Sequence, residues 1–232
     1  MCNVRSKLTL LRHTIIQEVY DALKETESET SYTTIWREYE AAAIKEIIRV
    51  LIANIPTFTK DNFEMGDEGS EKNRLADLAV VCAEGKTVIS IKTAKNTKTG
   101  GPRNDLGTFK QYPSKKKAFN AVFELWIRYT ILDKKIRIQK VYFDEAYRFV
   151  GYHKSAKGVG YRKKDGNMRP KSWKMFDDDS SYWKTPEEFE KGFQSAKTYR
   201  ANSLVEEHYP DMKEEDQRKL YEKLKAKFEL KS

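Results

Sequence analysis

Apolar residues recur at helical spacing near the start of the chain. Leu8, Leu11, Ile15, Val19 and Leu23 fall on one face when residues 6–25 are wound as a helix. The polar stretch ETESETS separates them from a longer stripe, Ile35, Tyr39, Ala43, Ile47 and Leu51, with Pro56 just beyond it. After the acidic, glycine-containing loop DNFEMGDEGSEKNR the pattern changes. LADLAVVCA and KTVISIKTA are short β-rich runs separated by EGK, which suits a hairpin. In FNAVFELWIRYTIL, the positions Phe119, Val122, Phe123, Trp126 and Thr130 predict a helix packed on the sheet. KIRIQKVYF and YRFVGYH predict two more strands around a DEA turn, and a short strand is predicted near SWKMF, after a basic, glycine-rich loop. Thr185, Pro186 and Glu188 make a helix start, and that helix is predicted to run to about His208. Asp211 is placed as the cap of a last helix carrying Leu220, Leu224 and Phe228.

This order of elements predicts an α/β (mixed α+β) fold, a central mixed β-sheet flanked by helices. At 232 residues the chain can bury one sizeable core, and it has no internal repeat or low-complexity segment. It reads as a single domain over residues 1–232, with the helices 6–25 and 211–230 as candidate dimerisation appendages. No segment approaches the roughly 20 apolar residues that span a bilayer, and MCNVRSKLTLLRH is too polar for a secretory signal. A cytoplasmic protein without a membrane partner is expected. Cys2 and Cys82 fit a reducing compartment and are expected to be unbridged.

Charge sharpens this picture. The formal balance is +9, from 44 Lys and Arg against 35 Asp and Glu, and the excess is clustered. It lies in KTAKNTKTGGPR (92–103), SKKK (114–117) and HKSAKGVGYRKKDGNMRPKSWK (153–174). One such run reads as a solvated loop. Three, all after one candidate catalytic strand, point to phosphate-rich nucleic acid.

The candidate chemistry lies on the hairpin. Asp77 stands at the entry to its first strand and Lys92 near the end of its second; alternation places Ser90 and Lys92 on one face, with Ile91 on the other. Glu40 lies on the preceding helix, on the polar side of the Ala/Ile stripe. Acids and a lysine meeting at a sheet edge suit Mg²⁺-assisted phosphodiester hydrolysis, with Mn²⁺ able to substitute. The hard ion prefers carboxylate, phosphate and water oxygens, and the lysine steadies charge on the phosphate. Taken alone, the spacing is met by many surface hairpins, in which Asp77 is a turn residue and Lys92 a solvated strand end.

The segments ADLAVV…ISIKTAKNTK resemble the core motif of the PD-(D/E)XK nucleases, in particular type II restriction endonucleases of the EcoRV and HincII type, with Ala76 in place of the usual proline. YEAAAIKEII resembles the family's N-terminal active-site helix, with Glu40 as its glutamate. NDLGTF resembles the loop after the catalytic strand, KVYFDEAYRFVGYHKSAKGVG the later hairpin and recognition loop, and TPEEFEKGFQSAKTYRANS the closing helix. The resemblance covers roughly residues 35–205. It implies a sequence-specific double-stranded DNA endonuclease acting as a homodimer, since two-fold symmetry matches a palindromic site. Catalysis would rest on Asp77, Ser90, Lys92 and Glu40, with the metal held by Asp77, Glu40 and the Ile91 backbone carbonyl.

Ser90 departs from the family, whose second acid belongs there. Two readings follow: either the site borrows an acid, from Glu40 or from Glu124 on the following predicted helix, or the chain is a catalytically silent DNA-binding protein on a nuclease fold. DNA contacts are placed on Lys95, Lys98, Arg103, Asn104, Lys157, Arg162, Lys163, Asn167 and Arg169. Of these, Asn104, Arg162, Asn167 and Arg169 are the candidates for reading bases. His153 is a candidate phosphate or base contact. Trp173 and Trp183 are expected in a core, and Asp177 to Asp179 at the end of a strand. Gly158 and Gly160 read equally as a close approach to DNA or as an ordinary loop.

Overall fold

The computed structural model describes residues 3–25, 35–65, 77–97, 100–107, 120–133, 135–208 and 213–229. The fold is mixed α+β, and the chain divides into two compact units. The first comprises residues 1–104 and 115–146, the second residues 105–114 and 147–232.

The first unit is a central sheet flanked by helices. Its described strands are β1 (Phe63–Met65), β2 (Leu78–Cys82), β3 (Gly85–Lys95), β4 (Ala121–Leu132) and β5 (Lys135–Glu145), in that spatial order. β1, β2 and β3 pair antiparallel, β3 and β4 parallel, and β4 and β5 antiparallel. The expected β2–β3 hairpin is present. The expected helix over FNAVFELWIRYTIL is not, because this run is β4, paired with strands on both sides. Six of its first seven residues are buried, so the alternation that marks a half-exposed strand is absent, and the run is long enough to imitate a helix. β1 falls in the stretch expected to be a loop.

The first predicted helix is broken. α1 (Val4–Leu10) and α2 (Arg12–Glu25) are separated at Leu11. α3 (Ile35–Asn54) follows the second apolar stripe. Val4, Leu8, Ile15, Val19, Leu23, Tyr39, Ala43, Ile47 and Leu51 form one core with Ile89 and Ile91 of β3, Phe123, Leu125 and Ile127 of β4, and Val141 and Phe143 of β5. The helices therefore cover the odd-numbered face of β3. Ser90 and Lys92 leave the strand on the opposite face.

In the second unit β6 (Tyr152–His153) and β7 (Gly158–Val159) make a short antiparallel ribbon. YRFVGYH thus supplies a 3₁₀ turn (Ala146–Phe149) and two strand residues rather than one longer strand. SWKMF forms α4 (Trp173–Asp177), not a strand. Ser172 caps it, its hydroxyl accepting the Met175 N–H, and Asp178 closes its C-terminus. Asp177 to Asp179 therefore end a helix. α5 (Pro186–His208) starts as expected. The Glu188 N–H donates to Thr185 Oγ1 at 3.2 Å, and the Glu188 carboxylate takes the Lys184 N–H at 2.8 Å. α6 (Glu214–Glu229) follows, while its expected cap Asp211 lies outside the described residues. Trp173 and Trp183 are buried, as expected, the latter donating to the Val150 carbonyl at 3.1 Å.

Gly158 explains how β7 meets α5. A Cβ there would stand 2.2 Å from the Gly192 carbonyl oxygen and 2.9 Å from the Ala196 nitrogen. Gly160 is less tightly enclosed: a Cβ there would stand 3.1 Å from the Gly151 carbonyl carbon. Both glycines serve internal packing. Among the described residues no helix is long and apolar enough to cross a membrane.

Candidate active site

Asp77 brackets Ser90. Its backbone N–H donates to the Ile89 carbonyl at 3.1 Å, and its carboxylate oxygen Oδ2 accepts the Ile91 N–H at 2.6 Å. The acid is thus fastened to β3 on either side of the serine, at the edge β2 occupies. Backbone groups of one strand residue point to the same edge, so the Ile91 carbonyl faces that edge as well. Lys92, half-buried, is the next residue along.

Parallel pairing with β4 decides where Glu124, expected on a helix, stands. Ser90 is the register partner of Glu124, and Glu124 in turn of Asp144 on β5. One step along, Lys92 is opposite Trp126, and Trp126 opposite Tyr142. Register partners share a face at about 5 Å between strands. Ser90 (3% exposed) and Glu124 (2%) are therefore buried neighbours on the face that carries Lys92. Trp126 Nε1 donates to Glu124 Oε2 at 2.8 Å and fixes its orientation. Asp144 is engaged elsewhere: it lies 3.5 Å from Arg12 Nε and accepts the Glu145 N–H at 2.8 Å.

Glu40 is half-buried on α3, next to the core residue Tyr39. Its helix packs on the Ile89–Ile91 face, opposite the one that Ser90, Lys92 and Glu124 share. Among the described residues no group of three or more His, Cys, Asp and Glu side chains converges as a metal site. Asp77, Glu124 and the Ile91 carbonyl are all hard oxygen donors, the class that suits Mg²⁺.

The candidate DNA contacts separate into groups. Lys95 and Arg103 are exposed, and Asn104 is tied down, its amide donating to the Thr93 carbonyl at 3.3 Å. Lys98 and the 114–117 run lie outside the described residues. In the second unit, residues 160–169 form a hairpin that turns at Gly166 (φ +71°) and is joined to Leu106 and Gly107 through Met168. Three of the four base-reading candidates meet there on one carboxylate. Arg162 Nη2 is 3.0 Å, Arg169 Nη1 2.7 Å and Asn167 Nδ2 3.1 Å from Asp105. Asp165 braces Arg162 from the other side, with Nε 2.9 Å from each oxygen. The Arg162 hydrogen bond holds the Asp165 carboxyl down at about 2. Lys157 is exposed at the ribbon turn, and Lys163 pairs with Glu207 at 2.8 Å. His153 is stacked on Tyr161, with its Nδ1 accepting the Ala156 N–H at 3.2 Å.

Lys171 belongs to the basic run in sequence only. It is 3% exposed, donates to the Ser180 carbonyl at 2.6 Å and lies over the rings of Phe149 and Phe176. Asp105, the hub of the hairpin, carried no local signal, since its partners lie some sixty residues away.

No protein-family model matches the chain, and no curated protein is significantly similar to it.

Proposed function

We propose that the chain is a Mg²⁺-dependent, site-specific double-stranded DNA endonuclease of the PD-(D/E)XK type, acting as a homodimer. The observation that carries this reading is the fastening of the Asp77 carboxylate to the Ile91 N–H at 2.6 Å, between Ser90 and Lys92. A metal-ligating acid is thereby held one residue from a lysine on a rigid strand. Asp77 and the Ile91 carbonyl would hold the ion. When bound, it supplies charge neutralisation at the scissile phosphate and a more acidic water. Lys92 orients the attacking water or steadies the phosphoryl oxygens as charge builds on them. The strand backbone contributes rigidity, which keeps these groups in place without reorganisation. Arg162, Asn167 and Arg169 suit base or phosphate recognition, with planar donor groups held in place by Asp105.

Ser90, standing where the resemblance places an acid, favours a second reading: a DNA-binding protein that has lost catalysis. Incubating supercoiled plasmid with the protein and Mg²⁺ or Mn²⁺ separates the two. Discrete linear fragments support the site-specific enzyme. A smear points to cleavage without sequence choice. A shifted but uncut plasmid under both ions replaces the enzyme with the binder.

A further inference from the structure

We propose that Glu124 is the carboxylate that Ser90 does not provide, so that the metal is held by acids from the residue entering β2 and from β4, with β3 between them. This rests on the endonuclease reading. Register places Glu124 directly beside Ser90 on the face that bears Lys92. Asp77 is fastened on the other side of the same serine. The two acids stand two strands apart, about 10 Å between backbones. Their side chains and two metal–oxygen bonds of about 2.1 Å can span that distance.

Ser90 itself supports the assignment. It is 3% exposed, and its short side chain leaves room beside Glu124 on the shared face. An acid at this position would face Glu124 across one strand spacing, and two buried carboxylates that close repel. The small residue at 90 and the acid at 124 therefore form a complementary pair, with the charge moved one strand over. Trp126 is the positioning residue, its indole N–H holding one Glu124 oxygen.

The test measures cation binding as well as cutting. Wild-type protein is expected to bind Mn²⁺ by calorimetry, and to give tryptophan-sensitised Tb³⁺ emission with Trp126 as the donor beside the ion. Glu124→Gln keeps an acceptor for the indole N–H, and is expected to lose at least about tenfold in Mn²⁺ affinity and more in cleavage rate. Ser90→Asp combined with Glu124→Gln returns the acid to β3 and is expected to recover much of both. Trp126→Phe is expected to weaken Mn²⁺ binding about tenfold, through loss of the bond that positions Glu124, and to lose most of the emission at saturating Tb³⁺, a readout that does not depend on how Glu124→Gln folds. Mn²⁺ affinity in Glu124→Gln equal to wild type, or Tb³⁺ emission unchanged in Trp126→Phe, overturns the assignment. If wild type and Glu124→Gln cut DNA equally well, Glu124 is excluded and the endonuclease reading stands. A wild type that neither binds Mn²⁺ nor cuts removes both.

Discussion

The Asp77 carboxylate accepts the backbone N–H of Ile91, the residue between Ser90 and Lys92, at 2.6 Å. This bond couples the entry of one hairpin strand to the middle of the next. It also sets which way the acid points, because the N–H direction is fixed by the β3 ladder.

Asp77→Asn preserves an acceptor for Ile91 while removing the charge. Together with Lys92→Ala it is expected to lower plasmid cleavage at least about 100-fold, with circular dichroism and DNA affinity close to wild type. Cleavage near the wild-type rate in either variant would remove that residue from the site.

DNA binding is expected to weaken steeply with salt, the slope of log K against log[salt] being about −0.9 for each phosphate contacted. Lys157→Ala and Arg103→Ala should each flatten it by about one unit. Lys171→Ala should leave the slope alone and instead lower stability by about 1–3 kcal/mol, since it removes a buried charged hydrogen bond and its ring contacts. Thermal melting and binding titrations on the same three variants decide the matter.

Asp165 offers a pH-dependent readout. Its folded-state value, about 2, lies below the ordinary 3.8, chiefly through the Arg162 hydrogen bond. The pairing therefore contributes fully above pH 3.8 and is lost as the pH falls through about 2. A carboxyl NMR titration should report this depressed value, and Arg162→Ala should move it back towards 3.8. An unchanged value in the variant would mean that Arg162 does not hold the hairpin in solution.

Gly158→Ala should destabilise the protein by about 2–3 kcal/mol or more, because the new methyl meets backbone of α5 that cannot swing aside. A melting temperature within 1–2 °C of wild type, a shift of well under about 1 kcal/mol, would show that the ribbon and helix are not packed this closely.

What the sequence determined by itself is local. The β2–β3 hairpin could be read because two short β-rich runs and the EGK turn between them lie within about twenty residues. The start of α5 was legible because Thr185, Pro186 and Glu188 act on their own first turn. Asp77 and Lys92 came with the hairpin. β4 was misread because a strand buried among others has no alternation to show, and helical intervals can be found in any dense apolar run. Only the parallel pairing of β3 with β4, a contact across more than thirty residues of chain, set Glu124 beside Ser90. Likewise only tertiary packing drew Arg162, Asn167 and Arg169 onto Asp105, and took Lys171 out of the basic surface into the aromatic interior. Spacing along a chain encodes the geometry of a single helix or hairpin; which strands become neighbours is decided by how the whole apolar surface can be buried at once.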